Sequence, residues 1–340
     1  MRTILVTGGA GFIGSNFIDS FTKKYSNYLI LNLDSLTYAG KYCDLEYLNE
    51  RENYKFLKLD INDKAAIEKL FLDYPIDGVI HFAAETHVDN SISDPEIFLK
   101  TNVFGTYNLL HACKKKWQGT DNKPKSSFKN SRFLHISTDE VFGSLGVGGL
   151  FSEKTRYAPN SPYSASKASS DFLVRAFGKT YGLNVVTTNC SNNYGPRQHK
   201  EKLIPKAIFS ALSEKTIPIY GDGENIRDWL FVGDHCNALD LAFHAGKDGD
   251  TYNIGGYNEK TNNEIVKIIC EILDRKKPRE NGKKYQDLIK YVNDRAGHDR
   301  RYAIDPSKIK SRLGWIPEES FETGIEKTID WYLENFGVNK

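Results

Sequence analysis

Hydrophobic and polar residues alternate with two different periods along the first half of the chain. Short runs rich in β-branched residues are typical of buried strands, and the segments between them carry apolar residues at helical spacing. Strands and helices in this order are typical of a doubly wound parallel sheet of the Rossmann type. The predicted strands are Thr3–Thr7, Tyr28–Leu33, Tyr54–Leu59, Gly78–Phe82, Arg132–Ser137 and Asn184–Asn189, and the two long predicted helices are Glu96–Lys116 and Tyr163–Tyr181.

The alternation weakens after about residue 190. Helical segments then stand among short strands such as Pro218–Tyr220 and Thr251–Ile254, which indicates a smaller, mixed α/β C-terminal lobe. We therefore expect a first domain over residues 1–190 and a second lobe over 191–340, with the chain able to cross between them. Ligands of open α/β sheets bind at the carboxyl ends of the strands, so the second lobe would supply the substrate pocket. The predicted helices of this lobe are Lys202–Ser213, Asp234–Ala245, Asn262–Leu273 and Thr323–Phe336.

The composition is that of an ordinary globular chain with small-molecule partners. A formal net charge of +2 over 340 residues, without a basic tail, predicts neither a nucleic-acid-binding nor a membrane-binding surface. The five cysteines are widely spaced and contain no C-x-x-C, so neither a disulfide framework nor a metal site is indicated. The chain runs from Met1-Arg2 directly into a strand and has no apolar run of membrane-spanning length, so a cytoplasmic location is expected.

A glycine-rich turn between the first strand and the first helix predicts a dinucleotide site. Gly8, Gly11 and Gly14 would let the backbone amides, including those of Phe12 and Ile13, approach a pyrophosphate at the helix N-terminus. Asp34 follows Gly14 by 20 positions at the end of the second strand, where a carboxylate would bond ribose hydroxyls and repel a 2′-phosphate. NAD is therefore favoured over NADP, and a glycine turn without a ligand is the alternative.

Two further strand ends lie at the same predicted edge. Asp60-Ile61, after the third strand, would flank the adenine. The segment Ala83-Ala84-Glu85-Thr86-His87, after the fourth strand, could contact both cofactor and sugar. For His87, a hydrogen-bonded structural role is an equal alternative.

The spacing Tyr-x-x-x-Lys occurs twice, and only one pair suits catalysis. Tyr54 and Lys58 lie in a predicted strand, where four residues span roughly 13 Å. Tyr163 and Lys167 begin a predicted helix, where residues i and i+4 are neighbours and an ammonium can lower the pKa of a phenol. Such a tyrosine can take a proton from a sugar hydroxyl while a nicotinamide takes the hydride.

Two adjacent carboxyls, Asp139 and Glu140, follow Thr138 at the end of the fifth predicted strand. Neighbouring strand residues point to opposite faces, so both carboxyls can face one substrate only if the backbone has turned into a loop there. A close pair of this kind can hold one carboxyl protonated and the other ionised, which suits the proton transfers of a dehydration. Two solvated loop carboxylates are the alternative.

The motifs together resemble the extended short-chain dehydrogenase/reductases, and within them the nucleotide-sugar 4,6-dehydratases of the dTDP-glucose type. Phe142 stands where this family usually has tyrosine, and Ala296 where it often has proline; neither position carries the chemistry. The resemblance covers almost the whole chain and rests on Gly8–Gly14, Ala83–Asp89, Thr138–Gly143, Tyr163–Lys167, Asn189–Pro196 and Arg295–Tyr302.

The resemblance implies an NAD-dependent, redox-neutral loss of water from an NDP-glucose, with dTDP-glucose as first choice. Tyr163 would take the proton of the C4 hydroxyl, with a hydrogen bond from Thr138, as the C4 hydride passes to NAD. Glu140 would then remove the C5 hydrogen and Asp139 would protonate the departing C6 hydroxyl, before the hydride returns to C6. Three alternatives remain open. The first is a 4,6-dehydratase of UDP-glucose or another NDP-glucose. The second is a UDP-sugar 4-epimerase or a decarboxylating relative, neither of which has an evident need for the carboxyl pair, and the third is a non-catalytic NAD-binding scaffold.

The resemblance also implies a substrate site, further cofactor contacts and a homodimer. Arg227 and Arg295 would grip the diphosphate, and Asn192 and Asn193 would reach the sugar-phosphate region. The helices Glu96–Lys116 and Tyr163–Tyr181 would pair across a two-fold axis. Thr101 and Asn192 would also contact NAD, and the remaining substrate-binding residues would be Thr86, His87, Lys202, Leu203, Pro218, Tyr220, Asn262 and His298.

Overall fold

A seven-stranded parallel sheet forms the centre of the structure, a computed structural model that describes residues 1–294 and 297–336. Its strand order is β10-β6-β5-β4-β1-β2-β3, and this doubly wound arrangement confirms the fold class that the sequence predicted. The strands are β1 (Arg2–Thr7), β2 (Tyr28–Asp34), β3 (Tyr54–Lys58), β4 (Ile76–His81), β5 (Arg132–Thr138), β6 (Val185–Cys190), β7 (Asn192–Tyr194), β8 (Ile217–Tyr220), β9 (Ile226–Phe231), β10 (Thr251–Ile254), β11 (Glu259–Thr261) and β12 (Ile289–Val292).

Helices cover both faces of this sheet because successive strand residues point to opposite sides. In β1, Ile4 and Val6 pack in one apolar cluster with α1 and α8, whereas Leu5 packs in another with α2, α5 and α6. The helices are α1 (Phe12–Lys24), α2 (Lys64–Asp73), α3 (Val88–Ser93), α4 (Pro95–Phe98), α5 (Thr106–Trp117), α6 (Pro162–Tyr181), α7 (Leu203–Leu212), α8 (Val232–Ala245), α9 (Asn262–Lys276), α10 (Ser307–Leu313) and α11 (Phe321–Asn335).

The predicted helix Glu96–Lys116 is not a single α-helix. A π-helical segment, Leu99–Gly105, separates α4 from α5. Its wider turn directs the buried Asn102 inward, where the side-chain amide donates to the Glu85 carbonyl oxygen at 3.0 Å and to Ser166 Oγ at 2.8 Å. The side chain thereby joins the segment after β4 to helix α6.

The C-terminal half builds a second core and also returns to the main sheet. Strands β11, β9 and β7 form one small sheet, β12 and β8 form another, and the apolar faces of α7, α9 and α11 pack together. Strand β10 pairs with β6, and α8 packs on the main sheet, so the chain crosses between the two parts. In the described residues, every helix is too short or too polar to cross a bilayer.

Candidate active site

One cleft at the carboxyl ends of the central strands contains most of the predicted site residues. The strand order reverses beside β1, which is where ligands bind in folds of this type. Predicted residues that line this cleft together are Gly8, Gly11, Phe12, Ile13, Gly14, Asp34, Asp60, Ile61, Ala83, Ala84, Thr86, Thr101, Thr138, Asp139, Glu140, Tyr163, Lys167, Asn192, Asn193 and Lys202.

The glycine turn packs too closely for side chains, and its residues line the cleft. A Cβ on Gly14 would lie 2.3 Å from the Gly8 carbonyl oxygen, and Gly8 itself has a φ of +71° and would place a Cβ 2.5 Å from the Ala83 nitrogen. Helix α1 begins directly after this turn, and its N-terminus has no side-chain cap. Uncapped amides at a helix N-terminus bind anions, so the turn fits a pyrophosphate.

The Asp34 carboxylate is buried beside this turn. It accepts hydrogen bonds from the backbone N–H groups of Ala10 at 2.9 Å and Leu36 at 2.8 Å. Burial raises its pKa, and these two donors oppose that shift. A carboxylate fixed in this way keeps lone pairs for ribose hydroxyls, so the residues present fit the adenosine half of NAD.

The backbone turns at the end of β5, as two cleft-facing carboxyls require. Strand β5 stops at Thr138 and a short 3₁₀ turn covers Asp139–Phe142. Thr138 Oγ1 caps this turn by accepting from the Glu140 backbone N–H at 3.2 Å, and Gly143 follows with a φ of +85°. Both Asp139 and Glu140 therefore line the cleft.

Asp139 is in the environment of a proton donor. It is 1% exposed, and burial raises its pKa well above the usual value, with the Glu140 carboxylate adding to the shift and Arg227 opposing it. Its Oδ2 atom is buried without a hydrogen-bond partner among the described residues. A carboxyl whose pKa is raised keeps its proton to a higher pH than an exposed aspartate does, and it can donate that proton into the cleft.

Tyr163 and Lys167 lie beside this pair on α6, and both are buried. Lys167 Nζ donates to the Ile136 carbonyl oxygen at 2.8 Å. Burial raises the pKa of the Tyr163 phenol well above its usual value, and the Glu140 carboxylate adds to that shift. In the chain alone, burial therefore raises the pKa of Tyr163 by more than Lys167 lowers it, contrary to the lowering that the sequence predicted. A phenolate at this position needs a further positive charge, such as that of a nicotinamide.

Several predicted substrate residues do not line this cleft. Arg227 is buried on β9, where its guanidinium donates to the Asp299 carbonyl oxygen at 2.8 Å and lies 4.2 Å from the centre of the Tyr302 ring. His87 Nδ1 caps α3 by accepting from the Asn90 backbone N–H at 3.2 Å, as in the structural alternative. Leu203 is the first residue of α7, Pro218 and Tyr220 lie on β8, and Asn262 is the first residue of α9. His298 Nδ1 lies 2.6 Å from Asp294 Oδ1. Arg295 lies outside the described residues.

A group of polar residues lies at the mouth of the cleft, and sequence reasoning predicted only Lys202 among them. This mouth cluster consists of Tyr38, His199, Glu201 and Lys202. Glu201 accepts from the Tyr38 hydroxyl at 3.3 Å and lies 3.4 Å from His199 Nδ1, while Lys202 Nζ donates to the Thr86 carbonyl oxygen at 3.1 Å. The cluster joins the loop after β2 to the segment before α7, and no local pattern in the sequence distinguishes Glu201 from a surface carboxylate.

Comparison with known proteins identifies the family. A sequence model described as GDP-mannose 4,6 dehydratase matches residues 5–328. A protein named dTDP-glucose 4,6-dehydratase from Xanthomonas campestris pv. campestris (strain B100) is 53% identical over 335 residues, which cover 98% of this chain and 94% of that protein.

Two solved structures share the fold at different degrees of sequence identity. The crystal structure of DesIV, a dTDP-glucose 4,6-dehydratase from Streptomyces venezuelae with NAD and TYD bound, has a TM-score of 0.89 and 40% identity, covering 99% of this chain and 98% of that one. The UDP-glucose 4-epimerase from Thermotoga maritima with UDP-glucose has a TM-score of 0.86 and 29% identity, covering 98% of this chain and 100% of that one. The chain therefore belongs to the GDP-mannose 4,6 dehydratase family of extended short-chain dehydrogenase/reductases, as its motifs predicted.

Proposed function

We propose that this protein is an NAD-dependent dTDP-glucose 4,6-dehydratase, a hydro-lyase that forms dTDP-4-keto-6-deoxy-glucose. The observation that carries the proposal is the pairing of Asp139 and Glu140 in the cleft that also contains Tyr163 and Lys167. The 53% identity to the Xanthomonas dehydratase supports it. A 4-epimerase would share the fold and the tyrosine but would leave the carboxyl pair without a task.

The cleft residues divide between cofactor and sugar. The backbone amides after Gly8 would hold the pyrophosphate of NAD and Asp34 would bind its adenosine ribose. When bound, NAD takes the hydride from the sugar C4 and returns it to C6. In this proposal residues 1–190 form the NAD-binding domain and 191–340 form mainly the nucleotide-sugar-binding lobe.

Tyr163 is the base for the C4 hydroxyl. Its proton acceptor is the phenol oxygen, which the cationic Lys167 and a nicotinamide charge together would favour as phenolate. Thr138 lies at the end of β5 beside Tyr163 and would hydrogen-bond the same sugar hydroxyl. The 4-ketone that results makes the neighbouring C5 hydrogen acidic.

The carboxyl pair then performs the elimination. Glu140 removes the C5 hydrogen as a proton, and the protonated Asp139 gives its proton to the C6 hydroxyl, which departs as water. Glu140 returns its proton to C5 when C6 receives the hydride, and the proton that Tyr163 took from the C4 hydroxyl replaces, through solvent, the one that Asp139 gave up. The sugar therefore loses one water without net oxidation. The unpartnered Oδ2 of Asp139 is the atom available for this proton transfer.

Mass spectrometry of separate reactions with dTDP-glucose and UDP-glucose tests the proposal. We expect dTDP-glucose to lose one water without added reductant and without net change in NAD. Loss of water from UDP-glucose instead would change the nucleotide but keep the reaction. If neither sugar loses water and UDP-glucose equilibrates with its C4 epimer, the proposal fails and the epimerase takes its place.

We also propose that the enzyme is a cytoplasmic homodimer paired through α5, α6 and the π-helical segment. These elements expose large apolar side chains, with Phe104 62% and Phe172 57% exposed. The described cysteines are all free thiols, which suits a reducing compartment. Sedimentation should show a dimer that F104E converts to a monomer; a wild-type monomer would contradict this part of the proposal.

A further inference from the structure

A buried carboxyl group, Asp171, lies behind the catalytic residues and has no part in the reaction described so far. It is 4% exposed and does not line the cleft. It follows Lys167 by four positions on α6, so the two side chains share one face of the helix. Both charges are therefore buried on the side of α6 that packs against β5.

Three side chains from other parts of the fold converge on the two oxygen atoms of Asp171. Ser137 Oγ and the Tyr157 hydroxyl donate to Oδ2 at 2.8 Å and 2.9 Å. His135 Nε2 lies 3.0 Å from Oδ1. A carboxylate accepts all three of these hydrogen bonds in its ionised form, so the site is built for a negative charge.

These contacts fix the end of β5 one residue after another. Lys167 Nζ donates to the carbonyl oxygen of Ile136, and Asp171 holds the side chain of Ser137. Asn189 Nδ2 donates to the carbonyl oxygen of Thr138 at 3.1 Å and reaches the Tyr157 hydroxyl at 3.5 Å. The backbone that leads into Asp139 and Glu140 is thus held by the turn of α6 that carries Lys167.

Asp171 is also the counter-charge for Lys167. Burial lowers the pKa of Lys167, and the Asp171 carboxylate opposes that shift. Burial and the Lys167 ammonium lower the pKa of His135, so its imidazole is neutral and does not balance Asp171. The titratable groups that face the two charges are His81 on β4, His135 on β5, Cys190 on β6 and Tyr157 before α6, and Tyr163 lies one turn before Lys167 on α6.

We propose that Asp171 is a positioning residue that acts through Lys167: its carboxylate is the buried counter-charge one helical turn after the ammonium, and its hydrogen bonds fix the strand end from which the acid–base pair leaves. This inference rests on the proposed dehydration. It assigns a role to the sequence Lys-x-x-x-Asp that follows the catalytic tyrosine.

The test compares D171N with Y157F, which removes one hydrogen bond from Asp171 but leaves the charge. We expect D171N to lower kcat for dTDP-glucose dehydration at least about tenfold and to move the alkaline limb of the kcat–pH profile about 1 unit or more to lower pH, because Lys167 loses its proton more easily. Y157F should keep the alkaline limb of the wild-type protein. A D171N variant with the wild-type limb would overturn the proposal.

A second measurement covers the case in which D171N does not fold. D171N leaves a buried ammonium without its counter-charge, whereas K167M/D171N removes both charges. We expect the double variant to have a higher thermal midpoint than D171N; a double variant that is no more stable would contradict the pairing. If the wild-type protein leaves dTDP-glucose unchanged, the proposed function fails, while this comparison still tests the pairing.

Discussion

The substitution D139N should separate activity from stability, because the two depend on Asp139 in opposite ways. Asparagine keeps the size of the side chain and its contact with Thr138, where the two oxygen atoms are 3.3 Å apart. It can donate a hydrogen bond to the sugar but cannot transfer a proton. The loss of one general acid typically costs on the order of 10²–10⁴ in rate, and we expect kcat to fall by this factor.

The same change should stabilise the folded protein above about pH 4. The pKa of Asp139 is raised well above its usual value by burial and by Glu140, so the folded state binds this proton more tightly than the unfolded chain, whose pKa is about 3.9. As pH rises from about 4 to the folded-state pKa of Asp139, ionisation of this carboxyl in the unfolded chain lowers the free energy of unfolding by about 1.4 kcal/mol for each pH unit. Asparagine has no such dependence, so the advantage of D139N grows with pH over this window.

Chemical unfolding at pH 5 and pH 8 measures this difference, and coupled turnover assays measure kcat. The matched control is D234N, because the Asp234 side chain also has little solvent exposure but accepts from the backbone N–H groups of Glu318 at 3.1 Å and Glu319 at 3.0 Å. D234N should lose about 1–3 kcal/mol of stability with turnover unchanged. A D139N protein with near wild-type turnover, or with a stability difference that does not grow with pH, would refute the reasoning.

Three further predictions concern Glu140, the glycine turn and Asp34. E140Q should abolish both the loss of water and the uptake of deuterium at the sugar C5 in D₂O, which NMR measures, and the NAD content should be unchanged. If the C5 hydrogen still exchanged in E140Q, Glu140 would not be the base. G14A should lose bound NAD and thermal stability, because the new Cβ would lie 2.3 Å from the Gly8 carbonyl oxygen. In G11A the new Cβ would lie 3.3 Å from the same atom, so the losses of NAD and of thermal stability should be smaller. Equal losses in the two variants would contradict the packing. D34N should narrow the preference for NAD over NADP in binding titrations, because the charge that repels the 2′-phosphate is gone; an unchanged ratio would argue against that role.

The sequence was most informative where local pattern and topology coincide. Parallel strands place their carboxyl ends at one edge, so naming the strands was enough to bring Gly8, Asp34 and Asp139 into one cleft. The turn at Asp139–Phe142 could also be predicted, because in a continuing strand the two carboxyls would point to opposite faces of the sheet and could not act on one substrate.

The sequence was least informative where a side chain's role depends on distant backbone. Nothing near Arg227 shows that carbonyl oxygens of residues 299 and 300 surround its guanidinium. Helical periodicity could not reveal the π-helical segment Leu99–Gly105, because the inward turn of Asn102 depends on the Glu85 backbone across the fold. The pKa of Tyr163 likewise depends on how completely the fold removes water from the phenol, which spacing alone does not report.

The mouth cluster has a kinetic consequence. Glu201 and its partners connect segments that come from separate parts of the chain, and we expect these contacts to open before a bound dinucleotide exchanges with solvent. A dehydration that returns its hydride to the same sugar needs no such exchange between turnovers. Slow release of the cofactor therefore costs this enzyme nothing in turnover, whereas in an ordinary dehydrogenase the same closure would limit the rate of every cycle.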